Sequence, residues 1–309
     1  MVQAIGVTEP GGPDALVVLD LPAEPLGAGD VRIRVTHATV NPVDAMMRSR
    51  PAGTDPVRVP GMEVAGVVTE IGPDVDRPLA VGDAVMAIVV PAGEHGGYRA
   101  DLVVPARSVA KIPAGLTAAQ AATLPMNGLT AQLALDTLAL PAGSTVAVTG
   151  AAGTVGGYFV QLAKHAGLVV IADASERDQD FVRSCGADEI VPRGEGFSTA
   201  VRQHHPDGVD GLVDTARLEA AVLDAVKDDG IAVSLSGYEG DGSDRIRVAP
   251  IFIYQYAENA VQLDRVAALA GAGVLTFRSA GELPVAKAAD AHRGLERRGA
   301  RGRSVLAFD

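Results

Sequence analysis

Cysteine is all but missing from this chain: Cys185 is the single one in 309 residues. That excludes an internal disulfide and any zinc site built on several thiolates. Cationic side chains are also scarce. With 26 Lys plus Arg against 38 Asp plus Glu, the formal charge is −12, whereas a nucleic-acid or anionic-membrane surface needs a local cation excess to displace counterions. The one local exception, RRGARGR at 297–303, reads as a solvated helix end. No uncharged apolar run reaches the roughly 20 residues of a membrane span. The opening MVQAIGVTEPGG has no basic segment followed by an apolar one. We therefore expect a cytoplasmic protein whose partner is a small molecule, with no nucleic acid and no membrane. What the chain does have is 48% apolar and 21% charged residues, enough for a large core divided between two domains.

Up to about residue 115 the texture is β-rich. Short runs such as VRIRVTHATV (31–40), EVAGVVTEIG (63–72) and DAVMAIVV (83–90) are separated by Gly, Pro and Asp clusters, and nothing there reads as a long helix. Over 116–140 the period becomes helical, with Pro125 dividing two segments. Strands and helices then alternate: STVAVTG, a helix over 155–166, LVVIADA, a helix over 177–185, DEIV, GLVDT, a helix over 218–227 and IAVSLSG. That alternation predicts βαβ units and a parallel doubly wound sheet. The remainder holds two helical segments, NAVQLDRVAALAGAG and VAKAADAHRGLERR, and a strand, SVLAF. The expected fold is α/β, with a β-rich domain over 1–120 and 251–309 and a nucleotide-binding domain over 121–250.

Between the first strand and helix of the alternating region lies TGAAGTVGG (149–157). Gly153 lets the main chain approach a pyrophosphate, and Gly156 permits close packing of helix on strand. The helix start then offers free N–H groups and a positive dipole end to the phosphates. Gly150, Ala151, Thr154 and Val155 share this turn. Asp173 follows Gly153 by 20 residues, at the end of the next strand, the position from which an acid binds ribose hydroxyls. Asp173 favours NADH, because a carboxylate repels a 2′-phosphate. Ser175, Arg177 and Arg193 lie just beyond it, and an arginine there favours NADPH. Both cofactors stay open. Asp214 with Thr215, and Ser236 with Gly237, end later strands and are expected to line the same crevice.

Beyond this turn, VNPVDAMMR (40–48), PGMEVAGVV (60–68), VGDAV (81–85), GGYRAD (96–101), AATLPMNGLTA (121–131), GADEIV (186–191) and GRSVL (302–306) run the length of the chain. With TGAAGTVGG they resemble the medium-chain dehydrogenase/reductases, specifically the zinc-free quinone oxidoreductase, zeta-crystallin-like branch. The resemblance implies a GroES-like catalytic domain, an inserted Rossmann domain, a nicotinamide held between them, NADPH as cofactor, and a homodimer formed along a sheet edge near VSLSG–IRVAP. It also sets Asn41, Met62 and the vicinity of Met126 and Asn127 where the zinc enzymes of the superfamily carry their ligands. Amide and thioether are poor donors for Zn²⁺, so no metal is expected. The chemistry left is hydride transfer from the nicotinamide to an acceptor that is already electron-poor, a quinone or an α,β-unsaturated carbonyl. Enoyl reduction in a biosynthetic pathway, or a cofactor-binding structural protein of crystallin type, are the rival readings.

The resemblance also assigns roles to single residues. Asn41 and Thr130 are expected beside the nicotinamide, Thr130 at the start of its helix, where it could equally serve as N-cap. Met46 stands where the family places a substrate-pocket tyrosine, and Arg193 where it places a tyrosine near the adenosine. Asp44 and Arg48 are read as braces of their loop, Glu63 as a buried structural contact, and Tyr98 as packing beneath its own loop. His95, His204 and His205 are read as surface histidines, and Cys185 as a small core residue. The Gly/Asp-rich loop 238–247 is expected to be a lid, with Phe252 behind it.

Overall fold

The computed structural model describes residues 1–51, 56–194, 196–242, 244–297 and 299–308. In chain order the first strands are β1 (Val2–Gly6), β2 (Val17–Leu21) and β3 (Asp30–Thr39), followed by helix α1 (Pro42–Ser49). Then come β4 (Glu63–Ile71), β5 (Ala84–Ile88), β6 (Asp101–Pro105), β7 (Val109–Lys111), α2 (Ala118–Ala121) and α3 (Pro125–Leu138). The alternating region comprises β8 (Thr145–Thr149), α4 (Thr154–His165), β9 (Val169–Ala174), α5 (Gln179–Ser184), β10 (Glu189–Pro192) and α6 (Phe197–His204). It continues through β11 (Val209–Asp214), β12 (Val226–Ser234) and β13 (Arg247–Pro250). The chain closes with α7 (Ala260–Gly271), β14 (Ser279–Pro284), α8 (Ala288–Glu296) and β15 (Arg303–Ala307).

Backbone contacts divide the chain into two units: 1–126, 254–271 and 277–309 form unit 1, and 127–253 with 272–276 form unit 2. Unit 1 is built on a seven-stranded sheet ordered β14-β15-β3-β4-β5-β7, with β6 also pairing β3, and on the two-stranded β1-β2. Strand β3 shows why this sheet forms. Val31, Ile33 and Val35 point one way into the core while Arg32 and Arg34 point the other, the period of two that a sheet with one wet face requires. Helix α1 is the departure from an all-β reading of this region. Pro42 starts it, where the missing N–H is no loss, and Asp44 in its first turn bonds back to the Asn41 N–H at 2.7 Å.

Unit 2 is a six-stranded sheet ordered β10-β9-β8-β11-β12-β13, parallel throughout. Its central strands are apolar on both faces, with Val146, Ala147 and Val148 of β8 and Val170 and Ile171 of β9 all fully buried, as crossover helices on both sides demand. The order steps outward from β8 in two directions, so β8 and β11 flank the reversal where ligands bind in such sheets. The expected helix over 218–227 is not there. A 3-10 turn spans Glu219–Ala225 and β12 begins at Val226, five residues ahead of IAVSLSG. Arg217 and Glu219 both take left-handed φ, 59° and 55°, which an α-helix cannot absorb. Strand β14 also lies outside the sequence expectation, being short, Gly-containing and largely exposed.

Candidate functional site

The carboxyl ends of β8, β9 and β11 gather most of the predicted cofactor positions. At the end of β8, Thr149 Oγ1 donates to Asp214 Oδ1 at 2.6 Å, and Thr215 Oγ1 donates to the Thr149 carbonyl at 2.7 Å. The backbone then turns through Gly150, at φ 67°, where a Cβ would stand 2.5 Å from Thr215 Oγ1. Gly153 is the N-cap of α4 and supplies no capping side chain. Three residues on, a Cβ at Gly156 would lie 2.3 Å from the Gly150 carbonyl oxygen. Turn and helix therefore touch backbone to backbone, a contact open only to glycine.

The first N–H groups of α4 have no acceptor within their own helix and stand at its positive end. Beside them Thr154 Oγ1 is buried and has no hydrogen-bond partner among the described residues. Unfilled backbone donors, a positive dipole end and an unpaired hydroxyl fit the pyrophosphate of a dinucleotide. Val155 is half-buried in the same turn. Asp173, at the end of β9, is buried, and its Oδ1 accepts from the Ala151 N–H at 3.0 Å. Burial pushes this carboxyl above its ordinary range, helped by the nearby Asp214. The N–H groups of Gly150 and Ala151 and the charge of Arg193 oppose the shift. Asp173 thus holds the glycine turn as well as standing at the ribose position. Sequence reasoning missed that first task, although the strand next to the turn is where such an acid would sit.

The Ser175 hydroxyl donates to Asp178 Oδ2 at 2.6 Å, and Asp178, a buried acid not singled out from sequence, is 1% exposed. Arg177 and Arg193 are exposed. Ser236 follows β12, with its Oγ 3.0 Å from Ser234 Oγ, and Gly237 comes next at φ 82°. Ser243 of the expected lid lies outside the described residues. Thr130 requires a correction. Helix α3 starts at Pro125, so Thr130 lies five residues inside it and is buried. It is neither a helix start nor an N-cap.

In unit 1, Asn41 is wholly buried. Its Nδ2 donates to Glu63 Oε1 at 2.8 Å, and its Oδ1 accepts from Arg303 Nε at 2.8 Å. Glu63 Oε2 accepts from the Met126 N–H at 2.8 Å. The amide expected beside the nicotinamide is thus engaged at both ends by its own unit, through an arginine 262 residues away. Asp44 Oδ1 accepts from the Gly61 N–H at 3.0 Å. Burial pushes the Asp44 carboxyl up to about 6, against the N–H groups of Asn41 and Gly61, the Tyr98 hydroxyl and the charge of Arg303. Met46, on α1, is half-buried. His95 is not simply a solvated loop residue. Its Nδ1 lies 2.8 Å from Glu24 Oε1.

The positions matching zinc ligands carry Asn41, whose amide is committed, and the thioether Met62. Among the described residues no group of three or more His, Cys, Asp or Glu could hold a metal. The donor set does not fit zinc.

Residues 27–114 match the family described as alcohol dehydrogenase GroES-like domain, and residues 185–306 match zinc-binding dehydrogenase. The chain is 34% identical over 283 residues, 87% of its length, to erythronolide synthase EryA2 of Saccharopolyspora erythraea, and spans 8% of that synthase. A quinone oxidoreductase of Pseudomonas syringae is 27% identical, with 100% of each chain covered and a TM-score of 0.87. A mycobacterial protein solved in complex with NADPH is also 27% identical, covering 99% of this chain and 100% of its own, with a TM-score of 0.84.

Proposed function

The chain belongs to the medium-chain dehydrogenase/reductase family, and from that premise we propose that it is an NAD(P)H-dependent oxidoreductase acting on quinones or α,β-unsaturated carbonyls. The observation that carries the reading is the cradle at the start of α4. Gly150, Gly153 and Gly156 shape it, Asp173 holds it, and the buried Thr154 hydroxyl stands in it with no hydrogen-bond partner among the described residues. A bound nicotinamide would supply the hydride, and the protein's share is to hold the dinucleotide by its phosphates and orient it. The first amides of α4 and Thr154 take the pyrophosphate. Asp173 Oδ2 is assigned to the ribose, with Arg177 and Arg193 available to a 2′-phosphate. Acceptors activated by their own conjugation suit a donor set that cannot hold zinc. In unit 1 the half-buried Met46 is assigned to the acceptor, where a flexible thioether tolerates varied apolar shapes.

Enoyl reduction is the second reading, favoured by the long match to a segment of a polyketide synthase. The test is stopped-flow oxidation of bound NADPH and of bound NADH with an ortho-quinone, a para-quinone and a 2-enoyl thioester. Fast decay with quinones supports the first reading, and decay with the thioester alone moves the protein to the second. A bound cofactor that no acceptor oxidises refutes both and leaves a cofactor-binding protein without turnover.

A further inference from the structure

A file of buried polar side chains in unit 1 runs on from Asp44 through Tyr98 and His292 to Arg48. Asp44 and Arg48 stand one turn apart on α1 and are both buried. They are joined through two residues from elsewhere. Tyr98 OH lies 3.3 Å from Asp44 Oδ2 and 3.2 Å from His292 Nε2, and Arg48 Nη1 lies 3.1 Å from His292 Nδ1. The Tyr98 and His292 rings meet edge to face at 5.9 Å. His292 is 0% exposed and, with Ala288 and Ala291, forms the buried face of α8.

The directions of these bonds follow from the donors. A guanidinium can only donate, so Nδ1 must accept, and the ring proton must sit on Nε2. Nε2–H then donates to the Tyr98 oxygen, which leaves the Tyr98 proton for Asp44. Each link fixes the next. A second proton on His292 would set an Nδ1–H against an Arg48 N–H, two donors at 3.1 Å, so the file has no arrangement for imidazolium. We propose that His292 is an acid-released latch: neutral, it clasps α8 to α1 through Arg48 and Tyr98, and on protonation α8 lifts away.

The surroundings offer protonated His292 little compensation. Glu296, on the same helix, is the one acid that favours its charged form, and it is already paired with Arg48 Nη2 at 2.5 Å. From the 3-10 turn Pro13–Ala15, packed on α8, Asp14 is taken by Arg293, which Asp290 also pairs. From β15, Arg303 is turned to Asn41. From β14, Glu282 faces His37. Burial, then the Arg48 charge, push His292 down to about 4. Lifting α8 hydrates His292 and returns it toward its ordinary value of 6.5, while Asp44 stays enclosed by Asn41 and Gly61. Opening is therefore coupled to the uptake of one proton between those two values.

Amide hydrogen exchange on the full chain from pH 7.5 to 5 reads this coupling once intrinsic rates are divided out. The opening constant of α8 is expected to rise about tenfold per pH unit below pH 6.5, and that of α4 is not. His292→Gln offers Oε1 to Arg48 and an N–H to Tyr98 without a titrating group, so its α8 should stay protected and lose the pH slope. A flat α8 profile in the unaltered protein, or an unchanged slope in His292→Gln, overturns the proposal. Should that variant fail to fold, the ¹⁵N resonances of His292 in the unaltered protein at pH 7.5 decide instead. A proton on Nε2 supports the latch, and a proton on Nδ1 refutes it.

Discussion

Gly156 and Gly157 are neighbours in the first turn of α4 and should respond oppositely to the same added methyl group. At Gly156 the new Cβ would stand 2.3 Å from the Gly150 carbonyl oxygen, 2.8 Å from its carbonyl carbon and 2.9 Å from the Ala151 Cα, all backbone with no rotamer to yield. Relieving a 2.3 Å contact means moving the helix start and the glycine turn apart by about 1 Å, a cost of about 1–3 kcal/mol for overpacking. A gain of about 1 kcal/mol for replacing glycine within a helix offsets part of it. The first amides of α4 would move with it, so Gly156→Ala should weaken NADPH binding at least tenfold, about 1.4 kcal/mol, while costing up to about 2 kcal/mol of stability. At Gly157 the nearest atoms to the new Cβ are the Ala151 carbonyl oxygen and two ring carbons of Phe181, all at 3.5 Å, ordinary contact. Gly157→Ala should therefore stabilise by about 0.5–1 kcal/mol and leave affinity unchanged. Urea unfolding and a fluorescence titration with NADPH measure both quantities. If the two variants bind NADPH alike, the cradle is not the phosphate site and the reasoning from α4 fails.

Two more expectations follow from single side chains. Thr154→Val removes a buried hydroxyl that has no hydrogen-bond partner among the described residues, so the free protein should lose little or gain slightly in stability, while NADPH binding, read by the same titration, should fall about tenfold; equal affinity would show that Thr154 does not meet the cofactor. Asp44 has a folded value of about 6 above its ordinary 3.8, so its contribution is complete below about pH 3.8 and is lost as pH rises through about 6. Asp44→Asn should accordingly gain on the unaltered protein between pH 4 and 7, by about 2–3 kcal/mol in urea unfolding, and a constant difference across that range would refute the assignment.

The parallel sheet was legible because its strands bury both faces and must be spaced by crossover helices, so Val146 to Val148 and Val170 to Ile171 announce themselves as continuous apolar runs. The glycine turn was legible for a different reason. Gly156 answers to contacts with Gly150 and Ala151, which precede it by only a few residues, and local geometry leaves a local mark. The misses are the converse. Over 218–227 the helical period hides the break at Glu219, whose N–H is accepted by the Asp214 carboxylate at the end of β11 at 2.8 Å. The tertiary partner of Asn41 is equally silent in the sequence, since Arg303 arrives from the last strand, 262 positions away. His292 carries no signal in the sequence, for the residue that fixes its proton, Arg48, is 244 positions away. Pattern and spacing report the elements and the ligand contacts that one element can supply. Which polar groups remain for a ligand depends on which are consumed by tertiary bonds, and in this chain that accounting separates Thr154, without a hydrogen-bond partner among the described residues, from Asn41, engaged at both ends.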